Sequence, residues 1–214
     1  MASEVSASST VSVGARKILP EEVLLVAAHG SRIDLNQASL EQACPCLAKG
    51  ANKGGDKAFD GSCAEGVDVT PDSALSETAA RAAIFARIVS LMNGRTGLRA
   101  EVLSFLSEML NEGIVPLLPK EGGEGAAVAK AVLGAGSCLF KGEVRPLLEV
   151  VSSCELCPVS SLTAREGKAL MLGRFDQIGT AAMAAAAAAN AIEIADGVAA
   201  LTCEAARVRT APFD

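Results

Sequence analysis

Aromatic residues are nearly missing from this chain: it has six Phe, no Trp and no Tyr, 3% in all. Strands of β-sandwiches and barrels draw on aromatic and β-branched side chains to fill a pleated surface, so those folds are disfavoured. A single His, with no Tyr, leaves few of the side chains that move protons near neutral pH. No Ser–His–Asp or Cys–His set can be built on one imidazole, His29. Positive charge is scarce as well: 19 Lys+Arg against 25 Asp+Glu give a net charge of −6. No domain-wide basic field exists to neutralise a phosphate backbone, so nucleic acid is not an expected partner.

What the chain has in quantity is alanine and other aliphatics, and half of its 214 residues are hydrophobic. That length suits one domain with a sizeable core. The composition reads as mainly α, with few short strands. The opening MASEVSASSTVSVGARKI has no apolar run of the secretory kind and is Ser-rich, so residues 1–17 read as a disordered tail. Seven cysteines, an odd number without a secretory leader, read as reduced thiols and place the protein in the cytoplasm. The stretch Gly179–Cys203 is long and alanine-rich, but it carries Asn190, Glu193 and Asp196. Two carboxylates argue against a membrane span and for a long buried helix with a small-residue face.

Pro20 at a first helical position, followed by Glu21 and Glu22 and closed by Gly30, marks a short helix. Ser31–Leu35 reads as a brief strand, and Asn36–Leu47 as a helix limited by Pro45. A Gly-rich loop follows at about 48–72, rich also in Asp and Lys and without periodicity. Order resumes at Thr70-Pro71-Asp72. Helices are expected over Ala79–Leu91, Leu98–Leu110, Ala126–Leu139, Leu147–Ser153, Thr163–Phe175 and Gly179–Arg207, with a hairpin-like piece at Gly142–Pro146. From residue 18 to 214 the chain is read as a single helical domain.

Three short patterns invite chemistry. Gly122-Gly123-Glu124-Gly125 precedes a helix, yet no GK[ST] or complete GxGxxG follows, and Glu124 would repel a phosphate. Cys154-Glu155-Leu156-Cys157 has zinc or redox spacing, and Cys44-Pro45-Cys46 is a conceivable second pair. A structural zinc site wants two matched pairs or added His, so packed thiols are the better reading and no metal is expected. His29 closes a helix, where an imidazole more often meets the dipole than a ligand.

A longer constellation carries more information. Arg87-Ile88-Val89-Ser90-Leu91, Gly94, Thr96-Gly97-Leu98-Arg99 and Glu101-Val102-Leu103 resemble R-x-N-S-L-x-x-G-x-S-G-V-R-x-E-V-L of the histidine and phenylalanine ammonia-lyases. Leu110-Asn111, Gly113, Pro116, Pro119, Gly122, Gly125 and Ala126 continue without a gap. Arg165-Glu166-Gly167-Lys168-Ala169-Leu170 resembles the family's K-E-G-L-A-L, and Thr210-Ala211-Pro212-Phe213-Asp214 its P-A-P-F-D. PEEVLLVAAHGSRIDLNQASL is similar to its opening helix and strand. The resemblance implies the N-terminal part of the ammonia-lyase fold.

The same alignment shows where the chain departs. In these lyases an Ala-Ser-Gly triplet cyclises and loses water to give a methylidene-imidazolone electrophile. The triplet in register here is Ala126-Ala127-Val128, followed by Ala129 instead of Asp. Ala127 has no hydroxyl to eliminate, and Val128 lacks the conformational freedom of glycine. The family's active-site Asn and Gln after K-E-G-L-A-L fall on Leu172 and Phe175, and its catalytic Tyr has no counterpart. The expectation is a truncated, inactive relative with no methylidene-imidazolone, no catalytic residues, and neither cofactor nor metal bound. It would act through binding or assembly, as a homo-oligomer or with a partner chain on the Gly179–Arg207 helix. Two alternatives stand beside it: a lyase subunit complemented by another chain, and a cysteine-based zinc or redox module.

Overall fold

The computed structural model describes residues 10–14, 16–44, 59, 69–94 and 97–208. Those residues are mainly helical, with five short strands. The core is organised by one helix, α3 (Glu77–Asn93), which is buried on almost every side. Ser76 caps it by accepting from Ala79 N–H at 3.3 Å, and a run of alanines lets neighbours approach closely. Ile84, Phe85 and Ile88 lose all exposure, worth roughly 2 kcal/mol each in burial.

Against α3 pack α1 (Pro20–His29), α2 (Gln37–Ala43), α4 (Ala100–Asn111) and α8 (Phe175–Ala205). Arg81 of α3 ties two of these, α1 and α4, together from inside the core. Its Nε donates to Val26 O at 3.1 Å and an Nη to Leu110 O at 3.2 Å. These are carbonyls near the C-termini of α1 and α4, where a cation offsets the helix dipoles. Burial, with Glu77 opposing it, draws the guanidinium's pKa down.

Two small sheets flank the helices. β1 (Thr10–Val13) pairs in parallel with β2 (Arg32–Leu35), Val11 opposite Ile33. Asn111 at the end of α4 extends that ladder sideways. Its Oδ1 accepts from Ile33 N–H at 2.7 Å and its amide donates back to Ile33 O at 2.9 Å, as a further strand would. The second sheet orders β3 (Val115–Pro116), β4 (Ser137–Phe140) and β5 (Glu143–Pro146), all antiparallel. Lys141 and Gly142 turn β4 into β5, both at positive φ, 51° and 82°, as a two-residue hairpin requires. α5 (Glu124–Val132), α6 (Leu147–Ser153) and α7 (Ala164–Met171) complete the order.

Several expectations need correction. The tail expected over 1–17 contains β1, because Thr-Val-Ser-Val alternates apolar and polar and Val11 and Val13 find partners in Ile33 and Leu35. A four-residue strand is too short to stand out in sequence. The helix expected over Ala126–Leu139 ends at Val132, since Gly134 and Gly136 hold φ of 76° and 97° and redirect the chain into β4. The helix expected over Thr163–Phe175 stops at Met171, Gly173 takes φ 101°, and Phe175 opens α8 instead. The loop at 48–72 lies mostly outside the described residues, although Pro71–Ser73 forms a 3₁₀ turn.

The largest correction concerns α8. It is not a buried helix: beyond Ala186, Ile192, Ile194, Val198 and Leu201 are 58–71% exposed. An 18-residue window within Ala164–Ala205 reaches a mean hydropathy of 1.4 with 11% of it buried. By length and composition alone the helix is able to cross a bilayer. Only its first half finds the core. Gly179 passes so near α3 that a Cβ there would lie 2.6 Å from the Ala82 carbonyl carbon.

Candidate active-site region

α5 begins where the chain would build its electrophile. Gly122 and Gly123 both lie at positive φ, and Gly123 caps the helix. Ala126, Ala127 and Val128 follow within regular helix, buried to 5%, 8% and 4% exposure. Ala127 N–H donates to Gly123 O at 2.9 Å, an ordinary helical bond. These residues do not fit a methylidene-imidazolone. No hydroxyl is present at Ala127, and the backbone nitrogens a cyclisation would draw on lie inside a helix. Ala127 lines an open cleft of about 400 Å³ with Pro116, Leu117, Lys130 and Ser137.

α7 packs on α5 at very short range, for a Cβ at Gly125 would stand 2.6 Å from Met171 Cα. α7 is capped on the other side by a reciprocal box: Glu166 N–H donates to Thr163 Oγ1 at 3.3 Å, and Thr163 N–H to Glu166 Oε2 at 2.8 Å. Glu166 is 1% exposed and takes Arg99 Nε at 2.8 Å and Arg99 N–H at 3.2 Å. Burial works to raise its pKa, but the hydrogen bonds from Arg99 and Thr163 and the charge of Arg99 hold it below the usual carboxylate value.

The two positions that resemble the family's substrate amides do not converge. Leu172 follows the last turn of α7 with its side chain 70% exposed. Phe175 is turned inward, 9% exposed, with Arg87 stacked over its ring. The Arg87 guanidinium also donates to Ala169 O at 3.2 Å and to Leu172 O, closing the C-terminus of α7. Burial lowers its pKa to about 10, with buried Glu124 at the start of α5 opposing. A cation thus binds the end of α7 to the start of α8, in a place where the family pattern sets polar side chains. In the sequence Arg87 stands out only as a motif residue. The cue lay in the Gln-to-Phe departure, because an aromatic ring near a buried Arg is a ready stacking partner. Asp176, next in α8, is 9% exposed, has Arg174 Nε at 3.6 Å, and its Oδ1 takes no hydrogen bond.

The cysteine positions are separate from this region in sequence and chemistry. Cys154 ends α6 half-buried and Cys157 is exposed. Cys138 is buried in β4, its thiol pushed up to about 11 by burial, against the pull of Arg145 and with Cys154 adding to the rise. Cys44 is buried at the end of α2, and Cys46 lies outside the described residues. Among the described residues no three His, Cys, Asp or Glu side chains gather as a metal cluster. His29 is the exposed last residue of α1.

Comparison with known proteins places this geometry. The family described as aromatic amino acid lyase matches residues 18–214. The chain is 35% identical over 147 residues to a probable histidine ammonia-lyase of Halobacterium salinarum, covering 65% of this chain and 28% of that protein. It is 33% identical over 148 residues to histidine ammonia-lyase of Alkaliphilus oremlandii, with 65% and 29% covered. Histidine ammonia-lyase from Trypanosoma cruzi superposes with a TM-score of 0.72 at 21% identity, over 94% of this chain and 45% of that one. Phenylalanine ammonia-lyase from Rhodosporidium toruloides gives a TM-score of 0.70 at 20% identity, over 85% and 32%. The chain spans less than a third of the length of these curated relatives. With the family model matching almost the whole of the chain from residue 18 onward, the chain belongs to the aromatic amino acid lyases.

Proposed function

We propose that this protein is a catalytically inactive aromatic amino acid lyase, of histidine ammonia-lyase type, that acts through binding or assembly. The observation that carries the reading is α5: Ala127 and Val128 stand in unbroken helix where a cyclised Ser-Gly is required. Phe175 and Arg87 occupying the neighbouring helix ends support it. Without an electrophile there is no route for expelling an amino group from histidine or phenylalanine. The thiols suit a reducing, cytoplasmic setting. Neither metal, membrane nor nucleic acid enters this reading. α8 is the part available to a partner, a second copy or another lyase chain, because its outer half carries large exposed aliphatics.

Intact-mass spectrometry and an assay for urocanate or cinnamate test the catalytic half. The unmodified sequence mass and no turnover above a protein-free control are expected. A loss of two waters mapped to Ala126–Val128, or turnover surviving repurification, would overturn it. Urocanate appearing only when a second lyase chain is added would favour complementation in trans instead.

A further inference from the structure

α3 ends on Asn93-Gly94, the one Asn-Gly pair in the chain. Asn93 is exposed and is the last helical residue, so its backbone leaves the helix at the cost of fraying one position. Gly94 is already extended, at φ −109° and ψ 145°. The closing amides of α1, α2, α4 and α7 each donate to a carbonyl of their own helix, and among the described residues that of Gly94 does not. Glycine carries no Cβ to shield that nitrogen. The Asn93 side chain also has room to turn, because Asn93 and Gly94 line an open cleft of about 500 Å³ with Ser39 and Gln42. The other described asparagines lack these features. Asn111 has both ends of its amide held by Ile33 and is followed by Glu112. Asn36 caps α2 through its Oδ1, and Asn190 lies within α8 before Ala191.

We propose that Asn93 is a self-modifying site, converted with water to aspartate and isoaspartate through a succinimide. The Gly94 nitrogen attacks Asn93 Cγ. The N–Cγ bond forms, the Cγ–Nδ2 bond breaks, and ammonia leaves with the proton that Gly94 gives up. Water then opens the ring at either carbonyl. One opening gives aspartate; the other gives isoaspartate, in which the main chain runs through the former side chain. Water is the only co-reactant, and the attack is intramolecular, between neighbouring residues. Either product places a carboxylate at the C-terminal end of α3, where the helix dipole is already negative. The conversion therefore works against the helix around which the core is built.

Tryptic mapping of the full chain after incubation in warm neutral buffer tests it. The peptide 88–95 should gain the mass of an amide-to-acid change and split into two products, while peptides carrying Asn36, Asn111 and Asn190 stay unchanged. Gly94→Ala keeps an ordinary backbone, since φ −109° is open to alanine. It should slow the conversion about tenfold, the effect of about 1.4 kcal/mol on a barrier. Asn93→Asp should melt below the parent, the direction the helix dipole sets. Conversion no faster at Asn93 than at Asn190, or unslowed by Gly94→Ala, overturns the site. So does a folded chain in which Asn93 survives while the same chain in urea converts it, because α3 then holds the amide shut. An Asn93→Asp variant that melts with the parent or above it overturns the effect on α3.

Discussion

The Arg87 guanidinium carbon lies 3.4 Å from the centroid of the Phe175 ring. That contact joins the middle of α3 to the first residue of α8 while the same guanidinium closes the end of α7 through Ala169 O and Leu172 O. Arg87 is 2% exposed, so its donors have no water to fall back on. Arg87→Ala should cost about 3 kcal/mol, from lost charged hydrogen bonds and stranded carbonyls. Arg87→Lys should recover less than half, since an ammonium neither stacks as a plane nor spans two carbonyls. Urea unfolding followed by circular dichroism measures both; a Lys variant as stable as the parent would show that the planar stack contributes nothing.

Glu166 and Arg99 predict a pH response. The folded Glu166 pKa lies below its ordinary value, so its contribution is fully present above about pH 4.3 and is lost as pH falls through the folded value. Glu166→Gln should cost about 2 kcal/mol at neutral pH, the scale of charged hydrogen bonds. The cost should shrink toward zero in acid. Unfolding midpoints of the two proteins at pH 7 and pH 3 give the comparison. An equal difference at both pH values would mean that Glu166 acts by shape alone.

Much of this arrangement was legible in sequence. Pro20 and Gly30 bracket α1, and the spacing Val102, Phe105, Leu106, Met109 marks the buried face of α4. These are local signals of period 3.6 or of capping chemistry. What was not legible depends on distant partners. β1 is recognisable only beside β2. The burial of Arg81 and Arg87 has no local signal and follows only from α3 running through the centre of the fold. The exposure of α8 is hidden for the opposite reason: alanine suits a buried face and a bare one equally, and only the packing against α3 shows that its docking ends near Ala186.

For the thiols, chelator-free protein should carry far less than one zinc per chain. Cys154 closes α6 and Cys157 lies three residues further on, no cluster of three metal-ligating side chains forms among the described residues, and Cys138 is buried with its pKa raised to about 11. Elemental analysis reads the content; one zinc per chain, with unfolding on chelation, would establish the cysteine module instead.

Two glycines of α8 should respond oppositely to one substitution. Glycine within a helix costs about 1 kcal/mol relative to alanine, so on propensity alone either Gly→Ala change is stabilising. Gly197 has nothing within 4 Å of a new Cβ, and Gly197→Ala should deliver that gain. Gly179 faces the backbone of α3, with Ala82 C at 2.6 Å and Ala83 N at 2.7 Å from the added carbon. Neither backbone atom swings aside as a side chain would, so Gly179→Ala must push α8 off α3 or bend it. Overpacking of this kind costs about 1–3 kcal/mol, enough to cancel or exceed the propensity gain. Thermal unfolding of the two variants should therefore move in opposite directions from the parent. If Gly179→Ala melts at or above the parent, α8 does not lie against α3 at the distance described, and its inner half is as loosely held as its outer half.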